Sequence, residues 1–240
     1  MDDGGRAAEF LRGARKSLPV ITGMIPSGAA FGILAETAGF SVWESLMMSL
    51  IVFAGASQFA ALNLLAVGAP AADIVLATAL LNARHIMMGS SLSRRMKGGG
   101  NPLCKAALFF FLTDESFSVA SLQGGGAVSV PFLWGLQLPI YITWNVLTVC
   151  GWLGTSALPP ALRASMGIAI YALFIALIIP SARKSRAALA VTLAAMALST
   201  LFKFAPVLSE LNKGVAIMIS AGGAALFGAL LFPPEKEETA

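Results

Sequence analysis

Two short stretches of this sequence bring together the side-chain types that proton chemistry needs, each inside an otherwise apolar run. One reads Thr78-Ala-Leu-Leu-Asn82-Ala-Arg84-His85-Ile-Met-Met-Gly89, and the other Leu112-Thr-Asp114-Glu115-Ser116-Phe-Ser118-Val-Ala-Ser121. On a helix Asn82, His85 and Gly89 share one face, with Arg84 about 100° away, and Asp114, Ser118 and Ser121 form a second polar stripe. Opposite charges on two polar faces predict one shared interior site. Arg84 is expected to pair with Asp114 or Glu115, leaving one carboxylate and His85 free to exchange protons. Histidine carries protons near neutral pH, and a carboxylate beside an arginine can be tuned in either direction. The plainer alternative is a static ion pair that joins two helices.

A third polar stretch, Phe53-Ala-Gly55-Ala-Ser57-Gln58-Phe59, interrupts another apolar run. Ser57 and Gln58 can hydrogen-bond a substrate where Gly55 permits close approach, or can bond helix to helix; Asn145 reads the same way. Gly55-Ala-Ser57 with the sole histidine also mimics the nucleophile and base of an intramembrane serine protease. The mimicry is thin, because rhomboid-type proteases carry Gly after the serine where this chain has Gln58. A passive channel is the third reading, since a polar interior path suits a channel as well as a carrier.

The elements that position these residues follow from composition. The chain has 240 residues, 57% hydrophobic and 12% charged, with a mean hydropathy of +0.81; soluble domains carry about 25% charged residues. An ordinary soluble enzyme is excluded. Of the 16 Lys+Arg and 12 Asp+Glu, only Arg84, Asp114 and Glu115 fall outside tails, basic islands and connectors. A charge at mid-bilayer costs about 2.5–3.5 kcal/mol even on a forgiving insertion scale, so these three are functional candidates. The net charge of +4 reads as loop charge and not as a nucleic-acid surface, because no basic face with interleaved aromatics occurs. Cys104 and Cys150 match no metal-ligand spacing and no GxxxxGK[ST] loop is present, so neither metal nor cofactor is expected and any pumping draws on an ion, proton or substrate gradient. No small-residue cleavage site follows the charged N-terminus, so the first span is expected to stay in the mature protein.

A helix needs about 20 apolar residues to cross a hydrocarbon core of about 30 Å. Eight runs qualify or nearly so: 18–35, 45–66, 72–93, 103–122, 132–153, 164–182, 187–203 and 214–232. Backbone groups in lipid must be satisfied internally, so the fold class is an all-α polytopic membrane bundle. We read residues 1–16 as a cytoplasmic tail, 17–232 as a single transmembrane transport domain and 233–240 as a polar C-terminal tail. Three basic islands, around Arg12, Arg95 and Arg183, should all be cytoplasmic. Three runs separate neighbouring islands, so one run in each block should fail to cross. The first run holds Pro19, Pro26, Gly28 and Gly32, which predicts a broken or re-entrant helix there, with free N–H groups for a substrate carboxylate. Leu138-Pro139-Ile140 repeats Leu18-Pro19-Val20 at an offset of 120 residues, a hint of an internal repeat. The last two runs carry small-residue spacings that suit close helix packing.

The phrases Phe53-Ala-Gly-Ala-Ser-Gln58, Asn82-Ala-Arg-His85 and Leu112-Thr-Asp-Glu115 resemble those of the AzlC family, the large subunit of two-component branched-chain amino acid exporters. Supporting phrases are Leu18-Pro19, Pro26 with Gly28 and Phe31-Gly32, and Glu44 with Ser49. The resemblance runs in order from about residue 10 to residue 182; beyond residue 187 only hydrophobicity remains. It implies a bacterial inner-membrane permease that exports valine, leucine and isoleucine, with methionine or toxic analogues as further substrates. It also implies a separately encoded small membrane subunit of the AzlD type.

Overall fold

The computed structural model describes residues 3–66, 68–97, 101–123, 127–159, 161, 175, 179, 182–183, 185–205 and 213–232. The fold is an all-α helix bundle, as the apolar runs require. Its contacts group the chain into two compact units, Met1–Leu62 with Leu81–Gly167, and Asn63–Leu80 with Ile168–Ala240; the 17–232 stretch read as one transport domain contributes to both. The sixth run, 164–182, lies almost wholly outside the described residues.

The first unit is framed by two long parallel helices, α1 (Asp3–Thr37) and α7 (Val130–Gly154). Glycines let their backbones touch. A Cβ on Gly13 would collide with the Phe132 carbonyl, one on Gly32 with the Thr148 carbonyl, and those on Gly135 and Gly151 with the Phe10 and Ala29 carbonyls. Their starting ends are tied by polar bonds: Ser129 Oγ donates to Glu9 Oε2 at 2.7 Å, Arg12 binds the same oxygen at 2.9 Å, and the Arg12 guanidinium stacks 4.6 Å from the Phe132 ring centre. Residues 1–16, read as a tail, are thus from Asp3 onward the first turns of α1.

The expected break at Pro26, Gly28 and Gly32 does not occur, because α1 runs through both of its prolines. A proline removes one intrahelical bond without obliging the chain to leave the helix, and packing on α7 holds the helix together across that defect. Gly28 and Gly32 serve that packing; a Cβ on Gly28 would press on Leu147.

The breaks fall in the second and fourth runs. The second is α2 (Val42–Val52) and α3 (Gly55–Ala66), the fourth α5 (Pro102–Phe110) and α6 (Asp114–Ser121). At 8 to 12 residues each, these helices span about 12–18 Å at 1.5 Å per residue, roughly half a bilayer core. Contacts with α7 trace the path of the first pair. Trp152 Nε1 donates to the Phe40 carbonyl near the end of α7, Ser49 lies against Thr148, and Phe53 against Tyr141, the twelfth of the 25 residues of α7. The chain then turns back, since Gly55 meets Trp144 and Phe59 meets Phe31 of α1. The second pair does the reverse against α4 (Ala71–Arg95). Lys105 Nζ reaches Ser93 Oγ at 3.4 Å, Phe109 packs on Gly89, Asp114 binds Arg84, and Arg95 binds the carbonyls of Ser121 and Gln123. Two re-entrant helix pairs therefore enter the first unit from opposite ends.

This geometry resolves the charge puzzle for the first two islands. A two-residue parallel ladder, β1 (Met96–Lys97) with β2 (Val128–Ser129), brings the end of α4 to the start of α7. The island around Arg95 thus shares an end of the unit with the island around Arg12. The second unit contains α8 (Arg186–Phe204) and α9 (Lys213–Leu231), which pack on each other where Gly228 faces Val191 and Gly223 faces Leu198. The small-residue spacings foretell that contact.

Candidate functional site

Both helix breaks converge on Tyr141. The Phe53 ring lies 4.9 Å and the Phe111 ring 4.8 Å from it, each edge to face. Phe53 ends α2 with φ +41°, a left-handed conformation that costs a non-glycine residue about 1–2 kcal/mol. Tyr141 Oη stabilises the break by donating to the Leu50 carbonyl at 2.9 Å, one of the acceptors that the end of α2 leaves over.

The two new helix starts differ. α6 opens with a capping box, in which Thr113 and Ser116 exchange side-chain and backbone bonds, and with Asp114 and Glu115 in its first turn. Carboxylates there complement the positive end of the helix dipole, and Arg95 on the carbonyls of Ser121 and Gln123 complements the negative end. Two arginines of α4 thus hold α6 at both ends. α3 opens with Ala54 at its N-cap position, whose methyl caps nothing, so the N–H groups of Gly55, Ala56 and Ser57 receive no side-chain cap.

Arg84 Nη1 binds Asp114 Oδ2 at 2.9 Å, and their side chains remain 40% and 47% exposed. Of the two expected partners for Arg84, the structure selects Asp114. His85 and Glu115 have no ion pair or hydrogen bond among the described residues, although Asp114 and Glu115 lie close enough to act on His85 electrostatically. His85 and Gly89 line a groove of about 740 Å³ between α4 and α5, with Ser90, Ser93, Arg94 and Phe109, a volume within the range of small-molecule sites. Asn82 Oδ1 and Arg84 Nε are buried without a partner among the described residues.

Ser57 and Gln58 lie elsewhere and are committed. Ser57 Oγ donates to the Ala54 carbonyl at 2.9 Å, and no hydrogen bond joins it to His85, so the protease dyad is absent from the structure. Gln58 sits in a closed ring: its Nε2 donates to Ser49 Oγ at 2.9 Å and its Oε1 accepts from Trp144 Nε1 at 3.1 Å. Thr148 Oγ1 donates to the Trp144 carbonyl at 3.0 Å, so at the 2.8 Å contact between the hydroxyls Ser49 is the donor. All four hydrogen bonds are internal to the protein, the helix-joining alternative for Gln58.

Gln137 contrasts with that ring. It is fully buried, and among the described residues neither its amide nitrogen nor its amide oxygen has a partner; Asn145 Oδ1 is likewise buried and without a described partner. Leaving such a group unsatisfied costs about 1–3 kcal/mol. Sequence alone leaves Gln137 and Tyr141 unmarked and shows Arg95 only as part of a basic island. A signal for Gln137 is nevertheless present, since with Asn145 it is one of two amides in the otherwise apolar 132–153 run, the kind of interruption that marks Gln58.

Long apolar helices framing re-entrant pairs with polar tips define a polytopic membrane protein whose irregular backbone is confined to its interior. The family model described as AzlC protein matches residues 19–158. This chain belongs to the AzlC family. It is 32% identical over 75% of its length, and 76% of the relative's, to the inner membrane protein YgaZ of Escherichia coli. It is 35% identical to an uncharacterized membrane protein of Archaeoglobus fulgidus, covering 81% and 85% of the two chains. Over 43% of this chain and 40% of the relative, it is 34% identical to the branched-chain amino acid transport protein AzlC of Bacillus subtilis. No solved structure matches the chain.

Proposed function

We propose that this protein is a secondary carrier that exports valine, leucine and isoleucine across a bacterial inner membrane, driven by a proton or other ion gradient. The observation that carries the reading is the meeting of two re-entrant helix pairs at Tyr141, midway along α7. Discontinuous helices near the midplane offer dipole ends and free backbone groups to substrates and coupling ions, the arrangement on which secondary transporters rely. Arg84, Asp114, His85 and Glu115 form the coupling cluster. The Arg84–Asp114 pair holds one carboxylate, and His85 and Glu115 keep proton-exchanging capacity beside it. The printed name of the Bacillus subtilis relative supports the substrate class.

The half-exposed ion pair also requires a polar or protein cover within a bilayer. A small membrane subunit of the AzlD type, or a water-filled path, supplies one. The basic islands around Arg12 and Arg95 lie at one end of the first unit, and by the positive-inside tendency this supports a cytoplasmic N-terminus.

Efflux of labelled leucine from preloaded inverted and right-side-out vesicles tests the reading. Saturable, gradient-dependent counterflow is expected, and non-saturable flux in either direction refutes a carrier. Wild-type rates in H85A, D114N and E115Q would remove the coupling cluster from the mechanism.

A further inference from the structure

We infer that Gln137 anchors the head group of a zwitterionic amino acid, its amide oxygen accepting from the α-ammonium and its amide N–H donating to the α-carboxylate. The inference rests on the carrier reading above and adds a site to it. Gln137 is fully buried, and neither amide atom has a partner among the described residues, in a turn whose neighbours Leu133, Leu136 and Ile140 are fully buried hydrocarbon. Proteins keep few such groups, and each calls for a ligand, a water or a functional use. An amide that presents a donor and an acceptor side by side matches the two opposite charges of an amino acid, whereas a simple cation or anion would use only one of them.

Its place in the fold supports this. Positions 137, 141 and 144 recur at i, i+4 and i+7 on one face of α7. Trp134 and Tyr141, which flank Gln137 by one turn on either side, both pack on Phe111 at the break between α5 and α6, with ring centres 5.5 and 4.8 Å apart. Tyr141 also receives Phe53, and Trp144 meets Gly55 at the uncapped start of α3. Gln137 therefore stands on the helix face where both re-entrant tips arrive, and Phe111 lies three residues ahead of Asp114 in the coupling cluster.

The test uses purified full-length protein, with leucine as the probe. Q137L removes the amide at nearly constant volume. We expect it to reach the membrane and unfold at the wild-type temperature or above. We also expect its leucine KM to rise about tenfold or more, the scale of one lost charge-assisted hydrogen bond, and the leucine-induced thermal shift to vanish. Q137M, unbranched and without an amide, should behave alike. In the wild type, leucine should compete well, and leucinol and 4-methylpentanoate, each lacking one charge, poorly. An unchanged KM in Q137L with a raised unfolding temperature overturns the inference and assigns the amide to buried water, while the carrier reading stands. Failure of both variants to fold also overturns it, because the amide then holds the structure. If the wild type neither binds nor counterflows leucine, valine or isoleucine, the carrier reading falls and the inference falls with it.

Discussion

The two re-entrant pairs solve the same problem, a helix end inside a membrane protein, by opposite means. At the tip of the α2–α3 pair the polar groups close on one another. Gln58, Ser49, Thr148 and Trp144 form a ring whose members are at most 6% exposed. At the tip of the α5–α6 pair they stay open, with Arg84 and Asp114 half-exposed and His85 and Glu115 uncommitted. A closed ring gives rigidity and has nothing left to offer a ligand, whereas an open cluster keeps the capacity to exchange partners and protons. Polar residues in apolar helices are thus of two kinds, and their bonding decides which.

The largest effect should come from the open tip. Arg84→Ala leaves Asp114 without its partner, and Asp114→Asn leaves Arg84 likewise; leucine efflux per inserted molecule should fall by about tenfold or more in each, given the insertion cost of an unpaired charge. Efflux within a factor of two of wild type would erase the contrast between the tips. The closed tip should answer in stability. Gln58→Leu strands Trp144 Nε1 and leaves Ser49 bonded to Thr148 alone, costing about 1–3 kcal/mol of unfolding free energy, while KM for leucine stays unchanged in the folded fraction; a raised KM would turn the ring into part of the substrate site.

Smaller changes sharpen the comparison. Arg95→Gln weakens the hold on the end of α6 and should cost about 0.3–1 kcal/mol, visible as faster hydrogen exchange in 114–123 and not in 55–66. At the entrance to the α2–α3 pair, Ser41 caps α2 and holds the Glu44 carboxyl below its ordinary range, chiefly through the side-chain hydrogen bond. A lowered folded-state value means that this contribution is present above the ordinary glutamate range and fades as pH falls through the lowered value. Ser41→Ala should therefore flatten a slight acid destabilisation, read as thermal unfolding between pH 6 and 3. An unaltered pH profile would show the cap to be inert.

Much of this was legible in the residues. The apolar runs required helices, the scarcity of charge isolated Arg84, Asp114 and Glu115, and the basic islands demanded that one run in each block fail to cross. Which run fails was misjudged, because prolines and glycines mark a break only when packing does not override them. Gly28 answers to the Leu147 side chain and Gly32 to the backbone of α7, and neither to a bend in α1. The true breaks carry weaker local signs, a Thr113-x-x-Ser116 cap and a glycine two residues after Phe53.

Hydropathy, backbone satisfaction and motif order are properties of the chain, and they are enough for the membrane, the all-helical class, the family and the charged cluster. The pairing of Asp114 with Arg84, the closed bonding of Gln58 and the burial of Gln137 with no partner among the described residues come from the fold. Hydrogen-bond satisfaction depends on what other segments bring within about 3 Å, and no local pattern in α3 or α7 distinguishes the neighbours of Gln58 from those of Gln137.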